Sequence, residues 1–131
     1  MAYWTIRAYG NASGRDVFCR EYRSQLTDTR AEFRAKVNLL KSQPTIEGWS
    51  RINGFDRLSK QYRELGKLRF KADNAQHRPL GFFGPHKRTF TLLVWATERD
   101  GKYYPPGVRG TALDRMAAVI ANPELAYDAD F

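Results

Sequence analysis

From Tyr3 to Tyr9 the apolar and polar positions alternate, with Trp4, Ile6 and Ala8 set against Tyr3, Thr5, Arg7 and Tyr9. A period of two is the signature of a pleated strand with one buried face. Asn11-Ala12-Ser13-Gly14 follows as a turn. The period then lengthens. Between Arg15 and Leu26, Val17 and Tyr22 can face inward while Arg15, Arg20 and Arg23 stay in water. Thr27-Asp28-Thr29 can cap a second helix. There Phe33, Val37 and Leu40 recur at i, i+4 and i+7 as one apolar stripe, and Pro44 ends it. The two segments predict an antiparallel helical hairpin packed on a sheet.

Between Thr45 and Lys60 the apolar residues Trp49, Ile52, Phe55 and Leu58 stand about three apart, interrupted by Gly48 and Gly54. This reads as a loop with a short helical turn. Strands are predicted over 65–72, 76–83 and 88–97. Their connections, Asp73-Asn74-Ala75 and Gly84-Pro85-His86-Lys87, are of hairpin length, which makes the three strands antiparallel neighbours. Pro79 has no N–H to give a ladder, so it must occupy an edge, a bulge or a non-bonded site. After Glu98-Arg99-Asp100-Gly101 comes a stiff aromatic stretch, Tyr103-Tyr104-Pro105-Pro106-Gly107. Thr111 can cap a last helix with Leu113, Met116, Ala117 and Ile120 on one face. Asn122-Pro123 stops it and leaves a short acidic tail. The predicted fold is α+β: an N-terminal strand and helical hairpin packed on an antiparallel β-sheet, with a C-terminal helix.

The 131 residues suit one domain, and 42% hydrophobic with 14% aromatic residues is too apolar for a disordered chain. The single cysteine, Cys19, excludes an internal disulfide and lacks a histidine partner for nucleophilic work. No His/Cys cluster has zinc spacing. The carboxylates Asp114, Glu124, Asp128 and Asp130 near the end do not make a convincing metal site. Gly10-Asn11-Ala12-Ser13-Gly14 lacks the lysine of a phosphate-binding loop. No apolar run approaches the ~20 residues of a membrane span, and Met1–Arg7 lacks the pattern of a secretion signal. The expectation is a cytoplasmic protein with no membrane partner.

Charge changes the picture most. The chain carries 22 Lys and Arg against 14 Asp and Glu, a net +8. The balance is +4 over residues 1–43, +7 over 44–110 and −3 over 111–131. Cations are therefore mounted on folded elements rather than on a tail, which favours a shaped site for a polyanion such as nucleic acid. In Lys67-Leu68-Arg69-Phe70-Lys71, strand pleating puts three cations on one face about 6.6 Å apart, near the phosphate spacing of an extended strand. An edge strand kept soluble by charge would carry the same pattern. His77 and Arg78 fall near the level of Arg69. His86, Lys87 and Arg88 lie in a loop, and Lys102, Tyr103 and Tyr104 follow. Such a set can cleave a phosphodiester: one group takes the 2′-hydroxyl proton, cations stabilise the phosphoryl oxygens, and another group protonates the leaving oxygen. Tyrosine rings can also stack on unpaired bases, although each aromatic taken alone fits a core role better.

Taken in order, Lys67-Leu68-Arg69-Phe70-Lys71, His77-Arg78-Pro79-Leu80-Gly81-Phe82-Phe83, Phe90-Thr91-Leu92-Leu93 and a basic aromatic turn before a helix near Ala112 resemble the RelE/ParE toxin superfamily, in its phage-derived, HigB-like branch. The likeness covers roughly residues 45–121. It implies a small basic toxin of a type II toxin–antitoxin pair, an endoribonuclease that cleaves mRNA, commonly in the ribosomal A site, with no metal or other cofactor. It also implies a cognate antitoxin, often with a helix-turn-helix domain. By the same resemblance Arg69 and Arg78 contact the phosphate and the transition state, and Lys67 and Lys71 bind RNA. Tyr103 or Tyr104, with Lys102, takes the late catalytic or stacking position, and His77 acts as base or acid. His86, Lys87 and Arg88 extend the RNA-binding set. Two other readings remain: a ParE-like toxin that binds DNA gyrase without catalysis, and an inactive phage-derived nucleic-acid-binding domain.

Overall fold

The computed structural model describes residues 2–11, 16–51, 54–129 and 131. The predicted turn at 11–14 lies mostly outside them, as do Arg15, Ile52 and Asp130. The first strand, β1 (Thr5–Tyr9), follows the predicted alternation: Ile6 and Ala8 are buried while Thr5 is exposed. Helix α1 (Val17–Arg23) buries Phe18 and Tyr22; Val17 is only half-buried. Helix α2 (Thr27–Lys41) buries the stripe Phe33, Val37 and Leu40. Its N-terminus is not capped by its own threonines. Asp73, distant in sequence, accepts instead from the Thr29 backbone N–H at 3.1 Å and the Thr29 hydroxyl at 2.7 Å. Helix α3 (Ile46–Arg51) is the expected helical turn, and its Trp49 is fully buried.

The strands that follow are shorter and more numerous than the pattern predicts: β2 (Phe55–Arg57), β3 (Gly66–Leu68), β4 (Phe70–Ala72), β5 (Ala75–His77), β6 (Leu80–Phe83), β7 (Thr89–Val94), β8 (Thr97–Arg99) and β9 (Lys102–Tyr104). Helix α4 (Val108–Ala121) and a final strand, β10 (Ala126–Asp128), complete the chain. Among the described residues they form a six-stranded sheet of order β10-β1-β7-β6-β3-β2 and a four-stranded sheet of order β4-β5-β8-β9. Neighbours are antiparallel except β1 and β7, which run parallel.

The two sheets are the two ends of one bent meander. Each of the three predicted long strands breaks at the same level, at Arg69, at Arg78-Pro79 and at Trp95-Ala96. Pairing continues through the break. Lys67 faces Leu80 on one side and Phe70 faces His77 on the other, an unchanged register. Leu68 N–H donates to Pro79 O at 3.0 Å and Arg78 N–H to Ala96 O at 2.7 Å. Arg69 N–H leaves the ladder for Gly54 O at 2.7 Å. Pro79 sits in the gap, where its missing donor costs nothing. The β4–β5 hairpin closes through Asp73 and Asn74, both at positive φ (51° and 60°) as a two-residue turn with right-handed strand twist requires.

Helices α1 to α3 cover one face of the large sheet over an aromatic core. The Trp49 ring packs 5.0–5.3 Å from those of Trp4, Phe55, Phe83 and Phe90. Helix α4 covers the other face. It buries Val108, Ala112 and Val119, whereas Ile120 and Ala117 of the predicted apolar face are exposed. A small residue at 112 lets the helix lie close on the strands, so the contact stripe is rotated from the one the large side chains suggest. The predicted acidic tail is structure. β10 pairs with β1, Arg7 Nε donates to Asp128 Oδ1 at 2.9 Å, and the Phe131 ring lies 4.9 Å from those of Tyr22 and Phe33.

Candidate nucleic-acid interface

Side chains directly opposite one another in a ladder share a face. Register through the bend therefore sets Arg69 beside Arg78, with Lys67 two residues before Arg69 and Lys71 two after. Arg69, Phe70, Lys71, Gln76 and Arg78 line one open depression of about 260 Å³. Across the small sheet Lys71, Gln76, Glu98 and Tyr103 form a row of cross-strand partners. Three sequence-nominated cations thus meet at one hollow, and Tyr103 stands on the same face at the far end of the row, outside the hollow's lining.

Each cation has its own setting. Lys71 is exposed, and its ammonium has no partner among the described residues. Lys67 Nζ donates to the Tyr103 hydroxyl at 2.8 Å. A phenol oxygen that accepts from an ammonium keeps its own hydrogen free for a second acceptor. Arg69 forms an ion pair with Asp56 of β2. Arg78 is the most enclosed. Its Nε donates to Glu98 Oε1 at 2.8 Å, one terminal nitrogen donates to His77 O at 2.8 Å, and the other donates to Gln76 Oε1 at 2.9 Å. Three anchors hold this guanidinium in one orientation. Arg109, at the start of α4, lies 4.6 Å from the Tyr62 ring centre and 5.0 Å from that of Tyr103.

The remaining nominated residues go elsewhere. His77 is 4% exposed and sits inside the protein, not on the cationic face. Its Nδ1 accepts from the Trp95 indole N–H at 3.1 Å. Nε2 therefore bears the hydrogen and faces Ala72 O at 3.3 Å and the Thr29 hydroxyl at 3.4 Å. The ring stacks on Phe70 at 5.2 Å. Burial holds its pKa below the usual histidine value, against the pull of Ala72 O and Asp73. It braces the bend and is not placed to exchange protons with a bound RNA. Tyr104 and Lys102 point to the opposite face of the small sheet from Tyr103. Tyr104 lies under the Arg99 guanidinium at 5.2 Å and borders a neighbouring hollow of about 470 Å³ with Asn74, Thr97 and Arg99. His86, Lys87 and Arg88 occupy the β6–β7 turn, at the far end of β6 from Arg78. There Arg88 donates to Pro44 O at 2.6 Å and rests 5.8 Å from the Trp4 ring, an anchor for the N-terminal strand. Cys19 is half-buried, and burial raises its thiol pKa, which suits an inert role.

Sequence reasoning missed Asp56, Tyr62, Gln76, Glu98 and Arg109 at this site. Carrying the alternation of 88–97 two residues further would have placed Glu98 on the face of Gln76. Asp56, Tyr62 and Arg109 come from β2, the loop after it and α4, whose packing has no local signal. No family model matches the chain, and no curated protein matches it significantly.

Proposed function

We propose that this chain is a RelE/ParE-type toxin, a metal-free endoribonuclease that cleaves mRNA at the ribosome and is silenced by a cognate antitoxin with a helix-turn-helix domain. The observation that carries the reading is the meeting of Arg69, Lys71 and Arg78 at one open depression, on the face where Lys67 holds the oxygen of Tyr103. A phosphodiester in that depression meets two guanidinium forks and an ammonium. Arginine suits this use because its fork grips two phosphoryl oxygens at once. Charge fixed where the phosphorane develops is the largest single contribution to such a reaction. Tyr103 supplies the proton for the leaving 5′-oxygen, and the tyrosinate that remains is held by the Lys67 ammonium. The hollow bordered by Tyr104 is large enough for a flanking nucleobase, which a tyrosine face can stack.

Induced expression tests the reading. The expected outcome is growth arrest with message ends mapped inside ribosome-occupied codons. Arg69→Ala with Arg78→Ala removes both effects while the protein stays folded. Intact messages with a DNA-damage response would overturn the ribonuclease reading in favour of gyrase binding.

A further inference from the structure

In the ribonuclease reading the depression holds one phosphate, and an RNA strand brings its neighbours with it. Lys67, on the same face, reaches the Tyr103 hydroxyl at 2.8 Å. Beyond Tyr103 stands Arg109, in the first turn of α4. Its guanidinium carbon lies over the Tyr103 ring at 5.0 Å and over the ring of Tyr62, from the loop after β2, at 4.6 Å. Resting on that reading, we infer that Arg109, stacked on Tyr62 and Tyr103, is a second phosphate site, which holds the RNA linkage next after the scissile one on its 3′ side.

The donors of Arg109 are free. Contact with aromatic rings restrains a guanidinium without consuming its N–H groups, and none of these meets an acceptor among the described residues. Its charge is also uncompensated. Arg69 and Arg78 are each matched by a carboxylate, whereas Arg109 is exposed and has no ion pair among the described residues. It stands at the positive end of a 14-residue helix with no acidic residue in its first turn and no side-chain cap. A cation there is unfavourable until an anion joins it. Two tyrosines thus hold a charge in place where the fold itself supplies no counter-charge.

Reach and direction follow from Tyr103. Lys67 Nζ lies 5.3 Å from the same ring centre as Arg109, so the two cations are no farther apart than two such contacts, within the span of adjacent phosphates on an extended strand. Tyr103 serves the leaving 5′-oxygen in the ribonuclease reading, so the phosphate beyond it belongs to the 3′ side of the cut. Arginine suits the site because its fork can grip two phosphoryl oxygens while its position is set by the rings.

A methylphosphonate linkage removes the charge of one phosphate and tests the site in the full chain. The probe is an oligoribonucleotide with a 2′-deoxy residue at the cleavage position and three nucleotides after it, its binding read by fluorescence anisotropy at several salt concentrations. A neutral linkage between the first and second nucleotides after the cut weakens parent binding about fivefold at 0.1 M salt and lowers the salt slope by about 0.7. In Arg109→Ala the same linkage costs nothing, whereas a neutral linkage on the 5′ side of the cut costs variant and parent alike. RNA that ends at the first nucleotide after the cut reports the sheet face alone, and Arg109→Ala binds it as the parent does. Arg109→Gln keeps much of the side-chain length without the charge and gives the same outcomes if Arg109→Ala does not fold. A role confined to fastening α4 would lower the urea midpoint of these variants and leave the penalty of the neutral linkage at its parental size. That result overturns the inference, as does a parent indifferent to the linkage. Should the parent bind none of these RNAs, the ribonuclease reading falls and this inference with it; binding that the 3′ linkage weakens equally in parent and variant removes this inference alone.

Discussion

Salt dependence of RNA binding gives a quantitative count of the cations that engage phosphates. Each phosphate neutralised on a single strand adds about −0.7 to the slope of log K against log salt. Four cations share the face. Lys71 is unpaired among the described residues, and Lys67 leans on a neutral phenol, so both are available at once. Arg69 and Arg78 are each matched by a carboxylate, Asp56 and Glu98. If all four exchange their internal partners for phosphates, the slope is about −2.8, and affinity falls roughly 50-fold from 50 to 200 mM salt. If both ion pairs persist in the complex, only two cations count. The slope is then about −1.4 and the loss roughly sevenfold. Lys71→Ala lowers the slope by about 0.7 in either case. The assay is fluorescence anisotropy of an oligoribonucleotide with a 2′-deoxy residue at the cleavage position, titrated at several salt concentrations. An affinity flat across this range, or a slope that Lys71→Ala leaves unchanged, would refute the use of this face for RNA.

Two further predictions concern the scaffold. Burial depresses the His77 pKa, so the unfolded chain takes up a proton near the ordinary histidine value while the folded chain does not. Stability is therefore full above about pH 6.5 and falls as pH drops from there toward the depressed folded-state value; urea midpoints show this decline in the parent and a smaller one in His77→Gln, and equal declines would refute it. Gly81→Ala brings a Cβ to 2.5 Å from the Thr91 carbonyl oxygen and 2.6 Å from the Phe90 ring. A strand must shift to admit it, so the urea midpoint falls by the equivalent of about 1–3 kcal/mol, and an unchanged midpoint would refute the close approach of β6 and β7.

Periodic segments with one buried face were legible because the face itself writes the pattern. The strand at Ile6 and Ala8 and the stripe Phe33, Val37 and Leu40 are of this kind. Pro79 narrowed its own position to an edge, a bulge or a non-bonded site, and the break between β5 and β6 is the last of these. The division of the meander into two sheets was not legible. The register runs through Arg69 and Arg78 unbroken, so alternation stays the same on both sides of the bend. β10 was hidden for another reason. Three residues cannot display a period, and Ala126–Asp128 becomes a strand only because β1 offers an open edge. His77 misled because the groups that enclose it, Phe70, Trp95 and Thr29, are distant in sequence. Tyr103 and Tyr104 were indistinguishable in the sequence, and only the register with Glu98 and Thr97 separates their faces.

A face built from four cations needs counter-charges before any ligand arrives. Two like charges about 5–7 Å apart repel by about 2–3 kcal/mol at an effective dielectric of 20, a sizeable part of a domain's net stability. Asp56 and Glu98 offset that repulsion, one on each arginine, and they do so from the flanks, leaving the depression between Arg69 and Arg78 open. The same arrangement sets the order in which a polyanion is met. Lys71 is exposed and attracts at a distance. The arginines, already oriented by their partners, add little ordering entropy when a phosphate enters, because their side chains are fixed beforehand. Arg78 has the least freedom of the set, with three anchors and 11% side-chain exposure. A charge held that firmly suits a transition state better than a mobile substrate, since stabilisation that requires no reorganisation is what accelerates a chemical step.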